Sequence, residues 1–236
     1  SHTIWEYNDE VQFLANRGYG VLSVNYRGST GYGRKFQQAG YGEYGEKVQD
    51  DIIDAAKWAI AEGIADKKAM AVMGASFGGY SAARIMTRNP GFFKVAIVEH
   101  AVLDLPYQMK NNPFSWGLDK GNFTKYFGDI KDAEIQEKLR NQSPITHVEN
   151  LQGPLLLIAG KRDRIVGFEQ TEEFVRAAKV AGKEIKVHYF EHAGHGLQRW
   201  QDKVRRARLI EDFLAKHLGG RSGNWDYIEL AAEYLD

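Results

Sequence analysis

The sequence has 236 residues, with 31 Lys plus Arg, 31 Asp plus Glu and no cysteine. That length suffices for one α/β domain with a sizeable core. A formal net charge of zero argues against nucleic acid or a membrane surface as the main partner, since both attract basic proteins. The lack of cysteine excludes disulfides and thiolate metal sites, and it fits reducing and oxidising compartments equally.

Short apolar runs alternate with helical patterns along the chain. The runs that predict buried strands are residues 20–24, 69–73, 95–98, 155–159 and 186–190. The helical patterns cover residues 10–16, 47–61, 80–87, 169–180 and 204–218. This alternation predicts an α/β fold with a mostly parallel sheet covered by helices on both faces. The aromatic and polar segment 104–151 breaks the alternation, and we expect it to cross the edge of the sheet that carries the site.

The stretch Gly74-Ala75-Ser76-Phe77-Gly78 joins a predicted strand to a predicted helix. In a nucleophile elbow, a serine occupies such a strained turn, and small neighbours let the backbone pass close by. We expect Gly74, Gly78 and Gly79 to supply that room. The helix N-terminus behind Ser76 would direct N–H groups toward developing negative charge. Because Gly-x-Ser-x-Gly also occurs in ordinary turns, this interpretation requires partners for the serine.

Candidate partners follow two later strands. Sites in open α/β sheets form at the carboxyl ends of strands. Asp163 comes shortly after the run 155–159, and His195 lies between two glycines after the run 186–190. A serine hydroxyl needs a base to take its proton, and that base needs a carboxylate to orient it. The order Ser, acid, His is that of α/β-hydrolases, so we predict the triad Ser76, Asp163 and His195.

Both partners have alternatives. Asp163 stands between Arg162 and Arg164 and could belong to a surface ion pair instead. His192 is closer to the strand than His195 and is a rival base. The sequence leaves these alternatives open, although the position after a strand favours Asp163 and the flanking glycines favour His195.

A metal site is the other chemistry that the histidines could serve. His192-x-x-His195 approaches the spacing of metal ligands, but no third ligand is evident. His100, beside Glu99 at another strand end, is interpreted as a satisfied polar contact. We therefore expect neither a metal nor another cofactor.

Several motifs together resemble one family. They are "VNYRGSTGYGRKFQQAG", "QDDIIDAAKWA", "MGASFGGYSA", "SPITHVENLQGPLLLIAGKRDRIV" and "EHAGHG". In order and spacing they resemble the catalytic domain of the prolyl oligopeptidase family, above all its acylaminoacyl-peptidase-like branch, from about residue 10 to 218. The resemblance implies an α/β-hydrolase fold and a serine peptidase that cleaves short peptides through an acyl-enzyme. It matches Ser76 to the nucleophile, Asp163 to the acid and His195 to the base.

The resemblance also implies a substrate site. The backbone N–H of Phe77 matches one donor of the oxyanion hole. The Phe77 ring, with Val102, Leu105 and Val166, matches positions that line the pocket for the residue before the scissile bond. An esterase acting through the same triad is the alternative reaction.

The chain departs from the family pattern in two ways. Nothing in it resembles the β-propeller that usually precedes the catalytic domain. The His-Gly-Gly-Pro type of loop, which contributes to the oxyanion hole, is also missing. We therefore expect residues 1–236 to be a single catalytic domain without the first strands, and a non-catalytic fragment is a further alternative. An absent strand between 20–24 and 69–73 would leave sheet edges unpaired, so a homo-oligomer is expected.

Overall fold

The computed structural model describes residues 2–111, 120–223 and 227–234. In these residues, parallel strands form one sheet in the order β1-β2-β3-β4. The strands are β1 (Ala71–Ala75), β2 (Val95–Glu99), β3 (Leu155–Gly160) and β4 (Ile185–Phe190). Each begins and ends within two residues of a predicted run, so the predicted α/β fold with a parallel sheet is confirmed.

Helices pack on both faces of this sheet. The described helices are α1 (Asp9–Asn16), α2 (Arg34–Gln38), α3 (Lys47–Ala61), α4 (Phe77–Arg88), α5 (Leu105–Lys110), α6 (Lys120–Phe127), α7 (Ala133–Gln142), α8 (Glu169–Val180), α9 (Trp200–Leu214) and α10 (Tyr227–Tyr234). Helices α3 and α8 have the predicted bounds. No helix among the described residues is long and apolar enough to cross a membrane.

Alternating residues of the central strands divide the core into two clusters, because successive strand side chains point to opposite faces. Val98 and Leu157 pack with residues of α3, α4 and α8. Ile97 and Ile158 pack on the other face with residues of α1 and α9. Every residue of β2 and β3 is buried, which explains why these strands appear in the sequence as continuous apolar runs.

The prediction of a strand at residues 20–24 is wrong. These residues are not in a strand, and Val21 and Leu22 are 41% and 50% exposed. Together with one side of β1 they line a cavity of about 910 Å³. A strand exists only where its backbone hydrogen-bonds to a neighbour, and an apolar run by itself does not supply that neighbour.

The segment 104–151 is largely helical where it is described, through α5, α6 and α7. Residues 112–119 of this predicted excursion lie outside the described part of the chain. Phe127, at the end of α6, stacks on Tyr44, and Tyr44 contacts the Phe77 ring edge-on with centroids 4.6 Å apart. The segment therefore reaches the edge of the sheet at which β1 turns into α4.

A buried ion pair ties the end of β2 to two helices. Glu99, the last residue of β2, accepts two hydrogen bonds from Arg206 of α9, at 2.5 and 2.6 Å. Arg206 also binds Glu10 of α1. Because the Glu99 side chain is almost fully buried, its charge depends on Arg206 for compensation.

Removing Arg206 is therefore expected to destabilise the fold. Arg206→Met leaves a buried carboxylate without its partner, which costs about 3–5 kcal/mol of unfolding free energy. Glu10→Gln is the matched control, since the Glu10 side chain is 42% exposed and its loss costs less than about 1 kcal/mol. Urea denaturation of both variants measures the difference, and equal losses would contradict the assignment.

Candidate active site

Ser76 occupies the sharp turn between β1 and α4. Its φ of 56° and ψ of −116° place a non-glycine residue in a strained region of backbone conformation. Its N–H donates to the carbonyl oxygen of Glu99 at 2.9 Å, which attaches the turn to the end of β2. The serine side chain thus stands at the carboxyl edge of the sheet, ahead of a helix N-terminus.

Two of the three glycines around Ser76 are required by crowding. A Cβ on Gly74 would lie 2.5 Å from the carbonyl carbon of Gly78, and one on Gly79 would lie 2.7 Å from the carbonyl oxygen of Glu99. Gly78 differs from the expectation, since a Cβ there would meet nothing within 4 Å among the described residues. Its backbone is instead the group that passes close to Gly74.

The loop after β4 carries His195 back over the end of β3. Gly196 has a φ of 126°, a conformation that favours glycine. Gly160, the last residue of β3, lies so close to this loop that a Cβ on it would be 2.4 Å from the carbonyl oxygen of Gly194. Glycines in both segments, the end of β3 and the loop after β4, therefore permit the close approach that places His195 at the site.

The structure brings the three predicted triad residues into one chain of hydrogen-bonding distances. His195 Nε2 lies 2.8 Å from Ser76 Oγ, and His195 Nδ1 lies 2.7 Å from Asp163 Oδ2. The Asp163 side chain is 1% exposed and that of His195 is 21% exposed. A carboxylate held out of water thus orients a ring that remains reachable from outside.

The electrostatics keep Asp163 ionised. Its Oδ1 accepts the N–H groups of Ile165 and Val166 at 2.8 and 2.9 Å. Burial alone would raise the pKa of the Asp163 carboxyl, but the rings of His100 and His195 and these two N–H groups hold it well below its usual range. With its proton on Nδ1 facing this carboxylate, His195 presents the Nε2 lone pair to Ser76.

The alternative partners lie elsewhere. Arg162 Nη2 is 2.9 Å from Nδ1 of His192, so these two residues contact each other at the surface. His192 thus faces Arg162, and the ring next to Ser76 and Asp163 is that of His195. The two histidines of the candidate metal pair His192-x-x-His195 therefore face different partners and do not form one site.

His100 is the residue that sequence reasoning missed. It follows β2 with a φ of 46°, it is 6% exposed, and its Nδ1 has no hydrogen-bond partner among the described residues. The expected polar contact is made with Asp163, but no hydrogen bond in the described part of the chain satisfies the His100 Nδ1. This Nδ1 lies 3.6 Å from Asp163 Oδ2, and one ligand atom from each of His100, Asp163 and His195 lies within 4.8 Å of the others. Its place at a strand end was the available signal.

The residues matched to a substrate pocket also lie together. Val102, Leu105 and Val166 belong to one buried apolar cluster, and the Phe77 ring packs against it. Because Phe77 is the first residue of α4, its N–H has no carbonyl partner within the helix. That N–H follows directly on Ser76, and the ring of the same residue contacts the cluster.

Comparison with known proteins decides the family. The model of the prolyl oligopeptidase family matches residues 5–221. This chain belongs to the prolyl oligopeptidase family. Members of this family are serine peptidases, and the fold is that of the α/β-hydrolase peptidases.

Curated relatives of this chain carry peptidase names that agree with this family. Dipeptidyl aminopeptidase BIII of Pseudoxanthomonas mexicana is 34% identical over 216 residues, which are 92% of this chain and 31% of that protein. Acylamino-acid-releasing enzyme 1 of Oryza sativa subsp. japonica is 28% identical over 229 residues, which are 92% of this chain and 29% of that protein. The resemblance found in the sequence is confirmed. The chain spans about 30% of the length of these curated relatives.

A solved structure has the same arrangement. The puromycin-hydrolyzing peptidase of Mycobacterium tuberculosis superposes with a TM-score of 0.79 at 26% identity. The superposition covers 86% of this chain and 30% of that one. The likeness thus extends over most of the sheet and helices that position Ser76.

Proposed function

We propose that this chain carries the catalytic triad of a serine peptidase, with Ser76 as nucleophile, His195 as general base and Asp163 as the group that orients His195. The observation that carries the proposal is the unbroken run of short distances from Asp163 through His195 to Ser76. Membership of the prolyl oligopeptidase family supports the same reaction class. We further propose that residues 1–236 act as one catalytic domain, because the described strands form a single sheet.

The proposed reaction has two halves. Ser76 Oγ forms a bond to the carbonyl carbon of the substrate while its proton passes to His195 Nε2, and the Phe77 N–H stabilises the oxyanion. His195 then protonates the leaving amine as the C–N bond breaks, which leaves an acyl-enzyme. Water attacks that ester, giving a proton to His195, and the carboxylic acid leaves as Ser76 regains its proton.

We propose short peptides as substrates, with an apolar side chain before the cleaved bond. Phe77 is partly buried and packs against the buried Val102, Leu105 and Val166, so this apolar cluster would line the pocket for that side chain. The relatives are named as a dipeptidyl aminopeptidase and an acylamino-acid-releasing enzyme, which supports a peptide substrate. An esterase that uses the same triad is the competing function.

Paired substrates separate these functions. A blocked amino-acid amide and the ester of the same acyl group are assayed side by side, with Ser76→Ala as the background. Cleavage of the amide well above that background supports the peptidase, and cleavage of the ester alone would identify an esterase. If neither is cleaved and a fluorophosphonate probe fails to label Ser76, the triad is not competent and the proposal fails.

We also propose that the chain self-associates through the free side of β1. In the part of the chain that the structure describes, β1 pairs only with β2, and exposed Val21 and Leu22 lie across the cavity from it. Residues 20–24 and 2–7 are not strands, so neither segment covers this edge from within the described chain. A second copy would present the same edge and bury the same apolar residues.

Sedimentation at micromolar concentration is expected to show a dimer or larger species. Val21→Lys combined with Leu22→Lys places charges on the exposed apolar surface and is expected to shift the population toward monomer. The matched control is Val180→Lys, since Val180 is exposed away from this edge. A monomer for the unaltered chain over the whole concentration range would contradict the proposal.

A further inference from the structure

We propose that His100, Asp163 and His195 form a binding site for Zn²⁺, and that occupation of this site switches off the base. The three residues come from the carboxyl ends of the neighbouring strands β2, β3 and β4. The sequence pairs none of them at ligand spacing, because 63 residues separate His100 from Asp163 in the numbering and 32 separate Asp163 from His195. Parallel packing of the strands brings them to one point.

The ligand set suits zinc. Two imidazole nitrogens and one carboxylate oxygen are a common three-ligand set for Zn²⁺, with water in the fourth position. His195 is the partly exposed member of the three, so the fourth ligand would be a water that enters past its side chain. The single negative charge of Asp163 offsets half the charge of the ion.

The distances require little movement. Ligand atoms around a tetrahedral Zn²⁺ stand about 3.3 Å apart, given metal–ligand bonds of about 2.0–2.1 Å. His100 Nδ1 lies 3.6 Å from Asp163 Oδ2, and His195 Nδ1 lies 2.7 Å from the same oxygen. Binding therefore needs the His195 ring to move away from Asp163 by about half an ångström, and the ligand atoms of His100 and His195, which lie within 4.8 Å of each other, to reach tetrahedral spacing.

His100 supplies the independent evidence that points to a ligand. Its Nδ1 is buried, has no hydrogen-bond partner among the described residues and faces Asp163. Its backbone N–H is held by the carbonyl oxygen of Ile158 at 2.8 Å, so the residue is anchored in a left-handed conformation. A buried polar atom without a partner is unfavourable, and a metal ion at this point would satisfy it.

Zinc at this site would change the tautomer of His195. Coordination uses the Nδ1 lone pair, so the Nδ1 proton departs and the neutral ring carries its proton on Nε2 instead. Nε2–H then faces Ser76 Oγ and has no lone pair to accept the serine proton. Inhibition in this form rests on the proposed function, whereas the binding of Zn²⁺ does not.

Direct titration tests the binding. ZnCl₂ alone is titrated calorimetrically into the chain at neutral pH, with His100→Asn and His192→Ala for comparison. Asn tolerates the left-handed backbone of position 100 and is a poor zinc ligand. We expect His100→Asn to weaken binding by roughly 100-fold, because even outer-shell partners of a metal are worth roughly 10–100-fold. His192→Ala, which alters a nearby histidine outside the cluster, is expected to bind as the unaltered chain does.

Equal affinity of His100→Asn and the unaltered chain would overturn the site, and so would a loss confined to His192→Ala. If circular dichroism shows that His100→Asn is unfolded, His195→Asn removes another ligand and must show the same loss. Labelling of Ser76 by a fluorophosphonate tests the consequence, and we expect zinc to slow it reversibly in the unaltered chain and in His192→Ala but not in His100→Asn. Zinc binding without slower labelling would refute the inhibition, while an unlabelled Ser76 in zinc-free buffer would refute the proposed function instead.

Discussion

Ser76→Ala is expected to lower kcat for peptide or ester hydrolysis by about 10⁶, the order typical for loss of a triad serine. The reason is that the serine oxygen forms the covalent bond of the acyl-enzyme, and no neighbouring group can replace it. The variant should fold normally, because the alanine side chain is smaller than the serine hydroxymethyl group. Steady-state kinetics and fluorophosphonate labelling measure the effect.

Ser222→Ala is the matched control for this variant. Ser222 is exposed, and its Oγ donates a hydrogen bond to Asp212 Oδ1 at 2.6 Å. It is expected to retain full activity and labelling. Activity of Ser76→Ala within tenfold of the unaltered chain would show that another residue is the nucleophile.

His195→Ala is expected to produce a loss of the same order, about 10⁶ in kcat. Without the ring there is no acceptor for the serine proton and no donor for the leaving amine. The loss should not deepen when Ser76→Ala is added, since the two residues act as one unit. Kinetics of the two single variants and the double variant measure this non-additivity.

His192→Ala is the comparison that makes the result specific. His192 lies three residues before His195 and binds Arg162 rather than Asp163. Its removal is expected to change kcat by less than tenfold. If His192→Ala were instead as damaging as His195→Ala, the assignment of the base would be wrong.

The sequence by itself determined strands β1 to β4, helices α3 and α8 and the elbow, because these depend on local patterns. The apolar runs of β2 and β3 are continuous because these strands are buried on both faces, so nearly every residue in them is apolar. Gly74 and Gly79 mark a turn in which close approach forbids a Cβ, so the position of the proposed nucleophile could be predicted from this short stretch. The glycines beside His195 likewise favoured it over His192, although the sequence left both open.

Only the tertiary structure decided the remaining features, because they depend on pairing between distant parts of the chain. Whether residues 20–24 form a strand depends on a hydrogen-bonded neighbour, and an apolar run carries no information about that neighbour. His100 stands beside Asp163 because β2 and β3 are adjacent in register, and the local sequence around His100 says nothing of this contact. Strand order and register bring together groups that are distant in sequence, so the third member of the His100, Asp163 and His195 cluster became visible only in the folded chain.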